Sequence, residues 1–257
     1  SPTAVIFIVT NGMLLDSDAC KVLLEERADY IVVSIDASEE ETFSRIRVHG
    51  DLNVVWRNVR NLIRERDSSG LNLPRIHANY VLMKDNLSEL EPFINRAASE
   101  GIDVIYVNNV EPYTLRMEGT RLYRNPNADS SITPAEQVFC RVREMAKALG
   151  IEVHLPSLVP DTEGKCYFLT PCITWEGEVC PCAALSYDRE YFYFGEKRKY
   201  PRLSFGNVLL SSFEDVWESP DYVAFRTSVL SEAWGELCLY CLRRMGIICP
   251  VWANENT

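Results

Sequence analysis

The sequence predicts an α/β protein whose strands pair in parallel. Three observations carry this. Five short apolar runs recur through the first 155 residues: AVIFIV (4–9), YIVVSID (30–36), RIHANYVLM (75–83), IDVIYVNN (102–109) and IEVHL (151–155). Segments of helical periodicity separate most of them, and strand–helix–strand repetition means parallel pairing through right-handed crossovers. The runs are apolar on consecutive residues, as in a sheet covered by helices. The sheet is therefore open or barrel-like.

The elements follow in order. AVIFIV ends at the turn signal TNG. SDACKVLLEERA is a helix with Ala19, Val22, Leu23 and Leu24 as its apolar positions. YIVVSID is a buried strand. In NVVWRNVRNLIRER (53–66), Val54, Val55, Val59, Leu62 and Ile63 form a stripe at helical spacing. LSELEPFINRAASEG is a helix with Ser88 as N-cap and Gly101 past its end. TPAEQVFCRVREMAKALG opens on Thr133 as N-cap with Pro134 at the first helical position, and closes on Gly150. AVIFIV opens the chain almost at once, yet a bare apolar edge strand invites aggregation. Either later strands cover it or earlier strands precede it.

After about residue 156 the rhythm stops. ITWEGEVCP reads as a hairpin around a Glu-Gly turn, LSFGNVL as a short strand, and Phe213 to Arg226 as a short helical segment. The predicted division is 1–155 and a small loop-rich module, 156–257, of the kind that metal or disulfide staples.

Composition narrows the function. A net charge of −11 disfavours nucleic acid. The basic stretches Arg57–Arg66 and Lys197–Arg202 are interrupted or flanked by Glu65, Asp67 and Glu196 and read as solvated faces. No apolar run reaches the roughly 20 residues that span a bilayer, and SPTAVIFIVT lacks a basic n-region and cleavage site. The expectation is a cytoplasmic protein with no membrane and no nucleic-acid partner.

Seven of the nine cysteines follow residue 165. Cys166, Cys172, Cys180 and Cys182 fall within seventeen residues, and Cys238-x2-Cys241 follows with Cys249 beyond. Without a secretion signal, disulfides are the weaker reading. A four-cysteine iron–sulfur site and structural zinc are served equally well by the spacing. Cys20 and Cys140 read as buried apolar residues of their helices.

CYFLTPCITWEGEVCPCAA, then FGNVLLSSFEDVWESPDYVAFR, then CLYC resembles the SPASM or twitch auxiliary-cluster domain of radical S-adenosylmethionine (SAM) enzymes. The matching marks are Gly177 five residues before Cys182, Gly206-Asn207, Trp217 and Cys238-x2-Cys241. In the N-terminal half, VTNGMLL resembles the third strand of that family's barrel, VVSIDASEEETFSRIR the fourth, and MKDNLSELEPFINRAASEGID the exit of the fifth. The resemblance covers nearly the whole chain. It implies a partial (β/α)6 TIM-like barrel, here N-terminally incomplete, because the Cys-x3-Cys-x2-Cys loop and the glycine-rich strand of the family are absent from these residues.

The implied function is SAM cleavage to a 5′-deoxyadenosyl radical and hydrogen abstraction from a peptidyl or small-molecule substrate. An auxiliary 4Fe–4S cluster would sit in the C-terminal module. SAM and a second 4Fe–4S cluster are implied for the complete protein alone, with a ferredoxin or flavodoxin as reductant. The resemblance favours Cys166, Cys182, Cys238 and Cys241 as ligands, with Cys172 a rival and Cys180 in phase with Cys182. One auxiliary cluster is expected rather than two, since Cys249 comes at x7. Ser34, Asp36, Asn79 and Arg47 are the candidate SAM contacts, although Asp36 and Ser38 could instead cap the next helix. Asn108, Asn109, Glu111 and Tyr113 could line the same pocket. The competing reading is a zinc-stabilised α/β binding module without catalysis.

Overall fold

The computed structural model describes residues 4–125, 133–160, 170–231, 238 and 241. It divides into two compact units, Ser1–Asn109 with Asp129–Leu158, and Val110–Ala128 with Val159–Thr257.

The first unit alternates strand and helix: β1 (Phe7–Thr10), α1 (Ser17–Glu25), β2 (Tyr30–Ser34), α2 (Glu40–Ile46), α3 (Leu52–Ser68), β3 (Arg75–Leu82), α4 (Leu90–Glu100) and β4 (Val104–Asn109), then α6 (Pro134–Leu149) and β5 (Glu152–His154). The sheet order is β1-β2-β3-β4-β5, every pair parallel. Sequential order with crossovers of one hand puts every helix on the same face, the arrangement of a barrel wall rather than of a doubly wound sheet. Val33 and Tyr80 mark the helix-covered face: the turn at Gly12 sits between Val33 and Val55 of α3, and the Tyr80 ring lies 4.8 Å from Phe93 of α4.

Alternation places Ser34, His77, Asn79, Tyr106 and Asn108 on the other face. A ladder of rings crosses all five strands there, Phe7 to Tyr30 to His77 to Tyr106 to His154, with centroids 4.8–5.9 Å apart. β1 is an edge strand with Val9 exposed; no later strand among the described residues covers it.

Local chemistry explains the ends of the elements. Thr133 and Glu136 make a reciprocal capping box with Pro134 at the first helical position. Gly101 and Gly150 end α4 and α6 in the left-handed region. Ser88 is not a cap: Lys84–Glu89 form a 3-10 turn ahead of α4, whose N-cap is Glu89. Asn58 on α3 donates to Gly12 O and Met13 O and fastens the turn after β1. Cys20 is buried as expected, but Cys140 is exposed, on the outer side of α6.

The second unit holds α5 (Leu115–Gly119), the hairpin β6 (Cys172–Ile173) and β7 (Val179–Cys180), the hairpin β8 (Arg189–Tyr193) and β9 (Glu196–Tyr200), α7 (Phe213–Trp217) and α8 (Pro220–Leu230). The predicted single helix over 213–226 is two, because Ser219 and Pro220 start a fresh helix. The β8–β9 hairpin was not legible from the sequence, and LSFGNVL contributes a lone bridge, Glu178 to Asn207. Two small cores hold this unit. One gathers Tyr123, Leu185, Tyr191 and Tyr200, and the other Val179, Val216 and Tyr222.

Candidate functional sites

In the first unit the candidates lie at the carboxyl ends of β2, β3 and β4, where ligands of parallel barrels bind. Ser34 and Asn79 are register partners. Asn108 Nδ2 donates to Asn79 Oδ1. Asn108 is 8 % exposed, and its own Oδ1 is buried without a hydrogen-bond partner. A buried acceptor left over at the mouth of a sheet suits a ligand that donates.

Asp36 and Arg47 are brought together. Asp36 is 2 % exposed; its Oδ2 takes Arg47 Nη2 at 2.7 Å and its Oδ1 accepts from Val81 N at 2.8 Å. Burial pushes the Asp36 carboxyl above the usual range, and Arg47 opposes that shift. Both oxygens are thus engaged within the protein. Neither Asp36 nor Ser38 caps α2, whose N-cap is Glu39 without a side-chain bond. Instead Ser38 N, Ser38 Oγ and Glu39 N donate to the Glu89 carboxylate, which lies below the ordinary glutamate range: burial raises it, and the Thr42 hydroxyl together with these bonds outweighs burial.

Asn86, fully buried, ties the same ends together through Nδ2 to Asp36 O and Val81 O, and Oδ1 from Met83 N. Glu89 and Asn86 lie in an unremarkable polar run, and no spacing signal marks them. Removing Asp36 leaves Arg47, only a quarter exposed, without its carboxylate. Asp36→Ala is expected to destabilise the first unit by about 3 kcal/mol, read by urea unfolding; a loss under about 0.5 kcal/mol, the range of ordinary surface substitutions, would refute the strut role.

The remaining pocket candidates fall elsewhere. Asn109 Nδ2 donates to Ser157 O, while Glu111 pairs with Arg189 at 3.0 Å inside the second unit. Tyr113 is partly exposed beside Glu111.

The second site starts at the β6–β7 turn. Gly177 adopts φ +82°, and Asn207 Nδ2 donates to Glu176 O and Glu178 Oε1 while its Oδ1 accepts from Leu209 N. Val179 N donates to Gly206 O and Phe205 N to Val179 O. Gly206 admits Val216 of α7 closely, since a Cβ there would stand 2.7 Å from Val216 Cγ2. Trp217 stacks under Arg226, 3.8 Å from the ring centroid. The Gly-Asn pair and the helix with tryptophan therefore lash the hairpin that precedes Cys182.

The thiols fall into two groups. Cys172 and Cys180 face each other across the hairpin; Cys180 is fully buried, and burial raises its thiol. β7 ends at Cys180, so strand phase does not carry through Pro181 to Cys182. Cys182 and Cys241 instead pack on the core of Tyr123, Leu185, Tyr191 and Tyr200. Cys241 N donates to Cys238 O at 3.3 Å. Burial pushes the Tyr200 phenol upward, and the nearby thiols of Cys241, Cys238 and Cys182 add to that shift. Cys166 and Cys249 lie outside the described residues.

Among the described residues no three His, Cys, Asp or Glu side chains stand in metal-holding geometry. The donor chemistry nevertheless fits a thiolate-held group: Cys182 and Cys241 pack on one aromatic core, and thiolates are the donors that an iron–sulfur group takes.

Comparison with known proteins agrees with this geometry. Residues 166–242 match the SPASM family, an iron–sulfur cluster-binding domain. The chain is 29 % identical over 222 residues to the tungsten-containing aldehyde ferredoxin oxidoreductase cofactor-modifying protein of Pyrococcus furiosus, covering 85 % of this chain and 60 % of that one. It is 30 % identical over 108 residues to a probable GTP 3′,8-cyclase of Sulfurisphaera tokodaii, covering 42 % and 32 %.

Among solved structures, Streptococcus suis SuiB superposes with a TM-score of 0.57 at 13 % identity, over 86 % of this chain and 50 % of SuiB. anSMEcpe with bound AdoMet and a peptide superposes with a TM-score of 0.53 at 14 % identity, over 95 % and 65 %. The chain thus spans less than two thirds of each of these relatives.

Proposed function

We propose that the chain is a radical SAM protein with a SPASM domain, and that Cys166, Cys182, Cys238 and Cys241 hold an auxiliary 4Fe–4S cluster in a radical SAM maturase. The observation that carries the proposal is the packing of Cys182 and Cys241 on one aromatic core inside the segment that matches the SPASM model. Cys172 is proposed as a lesser candidate, since Cys180 is its cross-strand neighbour.

In such an enzyme a reduced cluster with SAM supplies a 5′-deoxyadenosyl radical, which takes a hydrogen atom from substrate. The chain's own residues do the binding and positioning. Ser34 and Asn79 offer a hydroxyl and an amide to the SAM ribose or carboxylate at the strand ends. Asn108 Oδ1 accepts from a ligand donor beside them. Asp36 and Arg47 act through their ion pair, by fixing the loops that follow β2 and β3, rather than by touching SAM.

A peptidyl substrate is supported by the structure of SuiB with its precursor peptide SuiA, to which this chain is similar in fold. A small-molecule substrate is favoured by a different observation, the likeness to a protein named for modifying a cofactor. A ferredoxin or flavodoxin is the proposed reductant and the cytoplasm the proposed location; no helix among the described residues is long and apolar enough to cross a membrane.

Anaerobic reconstitution of the chain with ferrous iron and sulfide tests the site. About four irons and four sulfides per chain with visible charge-transfer absorption are expected. A colourless chain with about one tightly held zinc would install the binding-module reading instead. For the complete protein, formation of 5′-deoxyadenosine under reducing conditions is the expected activity.

A further inference from the structure

We propose that Trp175, Leu209, Leu210 and Phe213 of the second unit form a docking surface for a peptide segment of large apolar residues interspersed with lysine or arginine. That segment is named as the recognition part of a peptidyl substrate, and in this the proposal rests on the peptidyl reading above.

Trp175 is 92 % exposed and Leu210 87 %, and Leu209 and Phe213 are exposed as well. The loops that carry them are tied together. Asn207 Nδ2 donates to Glu176 O, and Val208 N donates to Gly177 O at 2.8 Å. Leu209 lies so close to Gly177 that a Cβ there would stand 2.7 Å from Leu209 Cγ. Phe213 opens α7, where its ring stacks on Trp217 with centroids 5.8 Å apart. The apolar side chains therefore stand on one fixed frame.

Their positions break local rules. Trp175 and Glu176 are the central residues of a turn closed by Gly177 N on Thr174 O at 2.9 Å. Leu210 N closes a second turn on Asn207 O at 3.0 Å, with Val208 and Leu209 at its centre. Turns ordinarily take Gly, Pro, Asn, Asp or Ser at such places. The two cores of the unit draw on other residues. Large apolar side chains held in water without serving the core mark an interaction surface.

Charge selects the occupant. Residues 207–221 carry Glu214, Asp215, Glu218 and Asp221, all exposed, and no lysine or arginine. Glu176 and Glu178 on the other loop already share Arg202. An apolar surface with an acidic rim is complementary to a basic apolar segment. The same rim opposes a membrane, whose anionic headgroups attract basic flanks. It also opposes a second copy of the chain, because a two-fold contact would set like rims against each other.

The test is fluorescence anisotropy of the chain with three labelled synthetic peptides. The first alternates lysine with leucine and tryptophan, the second has glutamate for lysine, and the third has serine for leucine and tryptophan. The first is expected to bind, and the other two at least about tenfold more weakly. Trp175→Ala and Leu210→Ser are each expected to weaken the first about tenfold or more, as loss of an interface anchor does. Glu214→Lys with Glu218→Lys is expected to weaken it and to flatten its salt dependence. Leu14→Ser removes an exposed leucine of the first unit and is expected to change nothing.

No binding of the first peptide overturns the proposal. Equal binding of the serine peptide, or undiminished binding by Trp175→Ala and Leu210→Ser, overturns it in favour of charge attraction alone. Binding to phosphatidylcholine–phosphatidylglycerol vesicles that Trp175→Ala abolishes, or a dimer in sedimentation equilibrium that it dissociates, overturns it in favour of a membrane or a second copy. Docking needs neither the cluster nor SAM. Its failure is therefore read apart from that of the peptidyl reading, which stands or falls on hydrogen abstraction from a peptide by the complete protein.

Discussion

Cys241→Ala is expected to lose iron–sulfur loading of the second unit, retaining less than about a tenth of the iron of the wild-type chain under anaerobic reconstitution. A cubane held by four thiolates that loses one keeps three ligands and an open iron, and holding the group depends on every donor being in place. Cys182→Ala is expected to behave in the same way, because Cys182 and Cys241 pack on one aromatic core.

The comparison variant is Cys180→Ala. Cys180 is fully buried and faces Cys172 rather than the Tyr200 group, so loading is expected to stay at the wild-type level. Cys140→Ala, on the exposed side of α6, controls for adventitious iron. Iron and sulfide analysis read the result. Four-iron loading of Cys241→Ala, or collapse of loading in Cys180→Ala with equal folded fraction, would reassign the ligands.

Gly177→Ala is expected to destabilise the second unit by about 2–5 kcal/mol. The left-handed conformation at φ +82° costs a residue with a Cβ about 1–2 kcal/mol. The added carbon would also stand 2.6 Å from Asn207 Oδ1 and 2.7 Å from Leu209 Cγ, and overpacking of that kind costs about 1–3 kcal/mol. The strain falls where Asn207 lashes the hairpin, so Cys182 loses its placement as well.

Gly195→Ala separates the two costs. Gly195 has φ +85° with open space around it, so it is expected to lose only the conformational part, about 1 kcal/mol. Urea unfolding of the two variants checks the difference; equal midpoints would mean that the Asn207 lashing carries no load.

The strongly periodic parts were legible in the sequence. Thr133, Pro134 and Gly150 marked the ends of α6 because caps are local chemistry, decided by a side chain and the backbone within one turn. β2 and β4 were legible as apolar runs because burial on both faces writes itself into consecutive residues, while the edge strands β1 and β5 are less buried and were legible from composition. The β8–β9 hairpin was missed: YFYFGEKRKY mixes aromatic and basic residues, since one face packs on the small core and the other meets solvent. α8 was merged with α7 because the break at Ser219 and Pro220 lies within a continuous polar and apolar mixture.

Among the candidate ligand residues, the sequence located Ser34, Asp36, Asn79 and Arg47 but not their roles. That Asp36 is taken up by Arg47 and Val81 N depends on two loops meeting, 11 and 45 residues apart along the chain. Asn86 and Glu89, which tie those loops together, carry no signature, because a buried amide and a surface one read alike until the chain is folded.

The sequence by itself determined the class of fold, the order of its elements and the thiol-rich chemistry of the C-terminal unit, since periodicity, caps and residue type are properties of neighbours along the chain. Only the tertiary structure set Cys172 against Cys180 and packed Cys182 and Cys241 on one aromatic core. That division rests on packing between segments some sixty residues apart, 182 to 241, whose proximity no spacing rule encodes.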